Sequence, residues 1–150
     1  MRLRDFFTPG AIDLDLRAAD KDAALGELVR LLGVDSRAEE TLLRVLQRRE
    51  SLGSTGMGRG IAIPHCRSLV ANRLRIAYGQ SRTGIEFQAI DGKPVRHLFL
   101  IVAPPLEISN QYLPVLGRIA QFAKEPDVPE RLAALTRPDD FFRLLEEKGV

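Results

Sequence analysis

Between positions 19 and 32, apolar residues fall at Ala24, Leu25, Leu28, Val29, Leu31 and Leu32, the period of a helix with one buried face. Asp20 stands where an N-cap is expected, and Gly33 follows the stripe as a helix end. A second helix is predicted from Asp35 or Ser36, with Ser36 and Glu39 in capping-box positions. Leu42, Leu43, Val45 and Leu46 form its apolar face, and Arg48-Arg49-Glu50 its polar end. Four glycines then crowd into residues 53–60, which predicts a loop rather than a helix or a regular strand. Ile61-Ala62-Ile63 reads as a short buried strand stopped by Pro64. Over 74–80, Leu74, Ile76 and Tyr78 alternate with Arg73, Arg75 and Ala77, predicting a strand with one wetter face. Asp91-Gly92-Lys93-Pro94 is a turn signal. Residues 95–103 are almost continuously apolar after Arg96 and His97, as in a central strand covered on both faces, and Pro104-Pro105 ends it. Helices are predicted over 109–123, 129–135 and 138–148, the last two opening on prolines at positions that need no amide hydrogen.

Strands and helices are thus mixed along the chain, with connections long enough for parallel pairing. The predicted fold class is α/β: a single-domain sandwich over 1–150, with a mixed, mostly parallel central sheet flanked by helices on its faces. No repeat or linker divides it, and 150 residues suffice to bury a core. A net charge of +2 without a polybasic run gives no reason to expect nucleic acid or an anionic membrane as partner. The longest apolar stretch is too short to span a bilayer, and the charged N-terminal segment is unlike a signal peptide. Cys66 is the sole cysteine, so no internal disulfide forms. A cytoplasmic protein is expected.

Chemistry concentrates between Arg49 and His65. Glycines let backbone amides approach an anion, Ser54 and Thr55 carry hydroxyls, and Arg49 and Arg59 carry guanidinium forks that match phosphate oxygens. Neutral imidazole is a nucleophile near neutral pH, so His65 is the candidate phosphoryl acceptor. The loop is not a Walker A motif, since no Gly-Lys-Ser/Thr closes it, nor a dinucleotide fingerprint, since a strand follows it. Read from residue chemistry alone, an anion-binding loop beside a nucleophile and a plain turn beside a structural histidine both remain open.

The run 49–66 nonetheless resembles, over its whole length, the active-site signature of the enzyme IIA domains of the bacterial phosphoenolpyruvate-dependent phosphotransferase system, mannitol/fructose class. Glu50, Met57, Gly58, Ile61, Ala62, Ile63, Pro64, His65 and Cys66 match it position by position. The likeness continues along the chain: members begin with a short strand and two helices, and Asp91-Gly92 and Ala103-Pro104 fit later landmarks. It implies that His65 accepts a phosphoryl group from an HPr-type phosphocarrier protein, that Arg49 stabilises it, and that Thr55 is a nearby hydroxyl. No cofactor or metal is implied. Many members place a second histidine at the start of the helix after the central strand, where this chain has Tyr112. A phenol donates a hydrogen bond but carries no positive charge. Onward transfer to a IIB domain, regulation of a target protein by a standalone nitrogen-branch component, and a non-phosphorylated regulatory binding module are the functions to separate. His97 is expected to be structural and remote from His65, Cys66 to pack, and Arg73 and Arg75 to form a solvated strand face or a docking surface for an acidic partner.

Overall fold

The computed structural model describes residues 2–106 and 109–150. A single 3-10 turn at Leu3–Phe6 leads into β1 (Phe7–Asp13), α1 (Lys21–Leu31) and α2 (Ser36–Leu52). Three short strands follow, β2 (Gly56–Gly58), β3 (Ile61–Ala62) and β4 (His65–Arg67), then two long ones, β5 (Arg75–Ile85) and β6 (Val95–Ala103). Helices α3 (Tyr112–Ala123), α4 (Val128–Ala133) and α5 (Pro138–Glu147) complete the chain. One six-stranded sheet runs β1-β5-β6-β3-β2, with β4 also against β6. Three pairings are parallel (β1 with β5, β3 with β6, β4 with β6); β2 with β3 and the long β5–β6 ladder are antiparallel. The α/β class and mixed sheet expected from the pattern are what the chain forms.

Side-chain alternation along β6 sorts the two faces. Leu98, Leu100 and Val102 point to a cluster with Leu25, Leu28, Leu42 and Leu46 of α1 and α2. Phe99 and Ile101 join Tyr78, Val115, Ile119, Phe122 and Phe141 beneath α3 and α5 on the other face. Both helices of the first layer start on an aspartate: Asp20 accepts from the Ala23 amide at 2.8 Å and Asp35 from the Ala38 amide at 2.8 Å. Asp35 therefore caps α2, and the Ser36–Glu39 capping box does not form; Ser36 is already inside the helix.

Three sequence expectations change. The glycine-rich segment contains β2, where glycine is required for closeness: a Cβ on Gly56 would stand 2.7 Å from the Ala89 Cβ. β5 runs past Gln80 to Ile85 and has no wet face through its middle, where Ala77, Gln80 and Ser81 are buried. Gln80 is tolerated because its Nε2 donates to the Tyr78 hydroxyl at 3.0 Å and the Leu132 carbonyl at 2.8 Å. Arg75 is no free cation either, since its Nη1 donates to the Leu32 carbonyl at the end of α1, 2.9 Å away.

The middle of β5 is packed to its limit. A Cβ on Gly79 would fall 2.8 Å from both Leu16 Cδ1 and Leu28 Cδ2. Gly79→Ala is expected to destabilise the fold by about 1–3 kcal/mol through overpacking. Urea unfolding reads this as a lower midpoint at unchanged slope.

β3 and β4 keep one register against β6, from Ile61↔His97 to Arg67↔Ala103, so they are one edge strand interrupted at Ile63-Pro64. The Pro64 carbonyl still accepts from Ile101 N at 2.9 Å. The proline nitrogen faces β6 as well, so its missing hydrogen costs one ladder bond between β3 and β4. β2 lies beside β3 but not beside β4.

Candidate functional site

His65 opens β4, immediately past Pro64, half-buried at this sheet edge. Its Nδ1 lies 2.6 Å from the Ile63 carbonyl oxygen. A carbonyl only accepts, so Nδ1 carries the proton and Nε2 presents a lone pair. The ring is held below the ordinary imidazole pKa, first by burial and then by the Arg49 charge, while the Ile63 carbonyl and Glu50 pull the other way. The balance favours the neutral, nucleophilic ring.

Helix α2 supplies the groups around it. Arg49 donates through Nη1 to the Gly53 carbonyl at 2.8 Å, which turns its fork back over the start of the glycine-rich segment. Glu50, the next residue, is buried. It accepts from Lys21 Nζ at 3.2 Å, from the Thr55 amide at 3.3 and 3.2 Å, and from the Thr55 hydroxyl. Lys21 in turn donates to Gln88 Oε1 at 3.1 Å and sits 4.7 Å above the Phe87 ring. This buried carboxylate ties α1, α2 and the 87–88 segment to Thr55, whose carbonyl accepts from Ile63 N at 3.1 Å. Glu50 is thereby a brace three hydrogen bonds removed from the histidine, through Thr55 and Ile63.

On the opposite side stands Tyr112, the first residue of α3, with its ring centroid 6.0 Å from that of His65. Burial raises its phenol well above the usual value, so it stays neutral. Arg67, two residues after His65 on β4, lies 4.5 Å above the Tyr112 ring and donates through Nη1 to the Pro104 and Ser109 carbonyls at 2.9 and 3.3 Å.

The structure brings His65, Arg49, Thr55 and Tyr112 into one neighbourhood. It does not deliver the rest of the anion cradle read from the loop. Arg59, with φ 60°, swings away to donate to the carbonyls of Ala123 and Glu125 at 3.0 and 2.8 Å, past the end of α3. Ser54 donates to the Phe87 carbonyl at 2.5 Å, and the Thr55 hydroxyl is engaged by Glu50. The amides of Gly53, Thr55, Gly56 and Arg59 are all bonded within the protein. The glycines build a tight hairpin, not a phosphate nest.

Arg67 and the Glu50–Lys21 pair went unread in the sequence. The only signal for Arg67 was its period-two spacing from His65 on an unrecognised strand.

His97 and Cys66 take structural places. His97 Nδ1 is 2.9 Å from the Tyr78 hydroxyl, and burial lowers its pKa to about 4. As pH falls through 6.5, the unfolded chain binds a proton at this position that the fold refuses down to about 4. Stability is therefore expected to fall across that window by about 1.4 kcal/mol per pH unit from this group. His65 acts in the same direction. Denaturant unfolding of His97→Gln at several pH values should show a clearly flatter dependence. The Cys66 thiol, buried against the α1/α2 cluster, is pushed up to about 12 and is inert packing.

Among the described residues no helix is long and apolar enough to cross a membrane. The family model described as "Phosphoenolpyruvate-dependent sugar phosphotransferase system, EIIA 2" matches residues 5–148. A nitrogen regulatory protein of Pseudomonas aeruginosa is 30% identical over 147 residues, covering 97% of this chain and 95% of its own. The fructose-specific EIIABC component of Bacillus subtilis is 26% identical over 149 residues; the match covers 98% of this chain but only 23% of that protein. Among solved structures, nitrogen regulatory protein IIA-Ntr from Neisseria meningitidis superposes with a TM-score of 0.85 at 28% identity, covering 94% of this chain and 97% of that one. A match that runs through both helical layers and the His65 edge alike leaves one assignment: the chain belongs to the EIIA 2 family of the phosphoenolpyruvate-dependent sugar phosphotransferase system.

Proposed function

We propose that this protein is a phosphocarrier that accepts a phosphoryl group on His65 Nε2 from an HPr-type protein. The observation that carries the reading is the 2.6 Å contact of His65 Nδ1 with the Ile63 carbonyl, which commits one ring nitrogen and leaves the other as nucleophile. The Nε2 lone pair forms the new P–N bond as the donor's P–N bond breaks, and the released electron pair stays on the donor imidazole. Arg49 stabilises the oxygens, the Tyr112 phenol donates to one of them, and Thr55 acts through its bond to Glu50. Transfer of this kind rests on positioning and charge stabilisation. All 150 residues serve it as one domain, and its place of work is the cytoplasm, where the donor chain starts from phosphoenolpyruvate.

A protein donor needs a docking surface, and exposed Leu69, Val70, Leu106 and Leu113 flank β4 and the start of α3. Whether the group moves on to a IIB domain or serves as a signal is the second question. Full-length similarity to a nitrogen regulatory protein favours regulation of a target protein. Incubation with phosphoenolpyruvate, enzyme I and HPr should give an acid-labile, base-stable label. Loss of label on adding IIB domains would establish onward transfer. No label from any HPr-type donor would leave the non-phosphorylated binding module.

A further inference from the structure

We infer that Arg67 and Tyr112 form the second half of the phosphoryl-binding site, the Tyr112 ring holding the Arg67 guanidinium beside the space in front of His65. This rests on the reading of His65 as phosphoryl acceptor. Strand alternation supplies the first ground. Cys66 points into the α1/α2 core, so its neighbours His65 and Arg67 share the opposite face of β4, where α3 begins. Tyr112 touches both, with its ring 6.0 Å from the imidazole centroid and 4.5 Å from the Arg67 guanidinium carbon.

Charge supplies the second ground. A phosphoryl group on nitrogen carries close to two negative charges and needs cations placed in advance. Among the described residues Arg67 hydrogen-bonds to carbonyls alone, both through Nη1, and no carboxylate lies within ion-pair distance of it. Carbonyls orient the fork without neutralising it. Stacking on a buried aromatic face fixes its plane and partly desolvates it, which strengthens its pull on an anion. The Tyr112 phenol stays neutral, so it opposes neither the cation nor the incoming phosphoryl group. Arg49 approaches from the end of α2 and Arg67 from the α3 side, a two-sided clamp.

The test uses the full chain with phosphoenolpyruvate, enzyme I and HPr, and reads the initial labelling rate against HPr concentration. Arg67→Ala is expected to lower the saturated rate by roughly 10²-fold, as for loss of one preorganised donor, with little change in the HPr concentration needed. Arg67→Lys should fall between the two, because a point charge neither stacks nor forks. Added guanidinium ion should restore part of the rate to Arg67→Ala, a rescue that loss of a merely structural arginine would not show. Tyr112→Phe keeps the ring and should lose far less than Tyr112→Leu. Labelling of folded Arg67→Ala at the wild-type rate, or a defect confined to the HPr concentration required, overturns the inference. If Arg67→Ala fails to give a cooperative thermal transition, the Lys and Leu variants decide on the same criteria. Failure of the wild type itself to label overturns the phosphoryl-acceptor reading instead.

Discussion

His65→Ala is expected to abolish phosphoryl uptake completely while leaving the fold intact. The ring is half-buried at a sheet edge and among the described residues bonds only to the nearby Ile63 carbonyl, so little packing is lost with it. No second imidazole stands ready to substitute, since His97 is buried against Tyr78 on β5. Label retained by His65→Ala, with circular dichroism unchanged, would remove the assignment. The pH profile gives a second, independent reading. Burial and Arg49 hold the His65 pKa below 6.5, so Nε2 keeps its lone pair at pH values where a free imidazole is already protonated. The uptake rate should stay level as pH falls through 6.5 and decline only below it. A profile already falling at pH 7 would contradict the stated environment. The test requires a donor whose own titration is measured separately.

Phe141→Ala should carry the largest cost to stability. The ring is fully buried, stacked at 4.7 Å on Tyr78 and edge-on to Phe7 at 5.3 Å and Phe142 at 5.7 Å. It therefore joins β1, β5 and α5 at one point. Truncation leaves a cavity among rings that cannot collapse into it, at about 3–5 kcal/mol. For a chain of this length that is a fall in melting temperature on the order of 10 °C. Phosphoryl uptake measured well below the transition should be nearly unchanged, because Phe141 lies in the core rather than at the His65 edge. A loss of less than about 1 kcal/mol would mean that the aromatic cluster repacks freely, against the close packing usual in protein interiors.

How much of the fold is legible in the sequence depends on how local each element's signal is. Helices α1 and α2 and strand β6 were legible because each has a local period and local punctuation: Asp20, Asp35, Gly33 and Pro104 bound them. The far end of β5 was not: the alternation stops at Gln80, and residues 81–84 carry no strand signature. The strand continues because its pairing with β6 reaches Ile85↔Val95, and because the Gln80 amide is met by the Tyr78 hydroxyl two residues back and by the Leu132 carbonyl of α4. β4 escaped notice because three residues, one His and one Arg among them, carry no strand signature. At the site, His65, Arg49 and Tyr112 could be proposed from a contiguous signature and a landmark. Arg59 was misread because its left-handed backbone turns it toward α3, a direction no spacing encodes. Arg67 and Lys21 were missed for the complementary reason. Their meaning lies in neighbours 37 or more positions away for Arg67 and 29 for Lys21.

Pro64 has one more consequence. Its carbonyl accepts from Ile101 N, so its nitrogen, which carries no hydrogen, faces β6 as well, and the inner ladder loses one bond between β3 and β4. The outward-facing groups here belong to Ile63: its amide donates to the Thr55 carbonyl and its carbonyl accepts from the His65 ring. Neither is left to template a strand from a second molecule. The bond that sets the tautomer of the imidazole thus also blunts the sheet edge, and removing the ring would free an edge carbonyl together with the nucleophile.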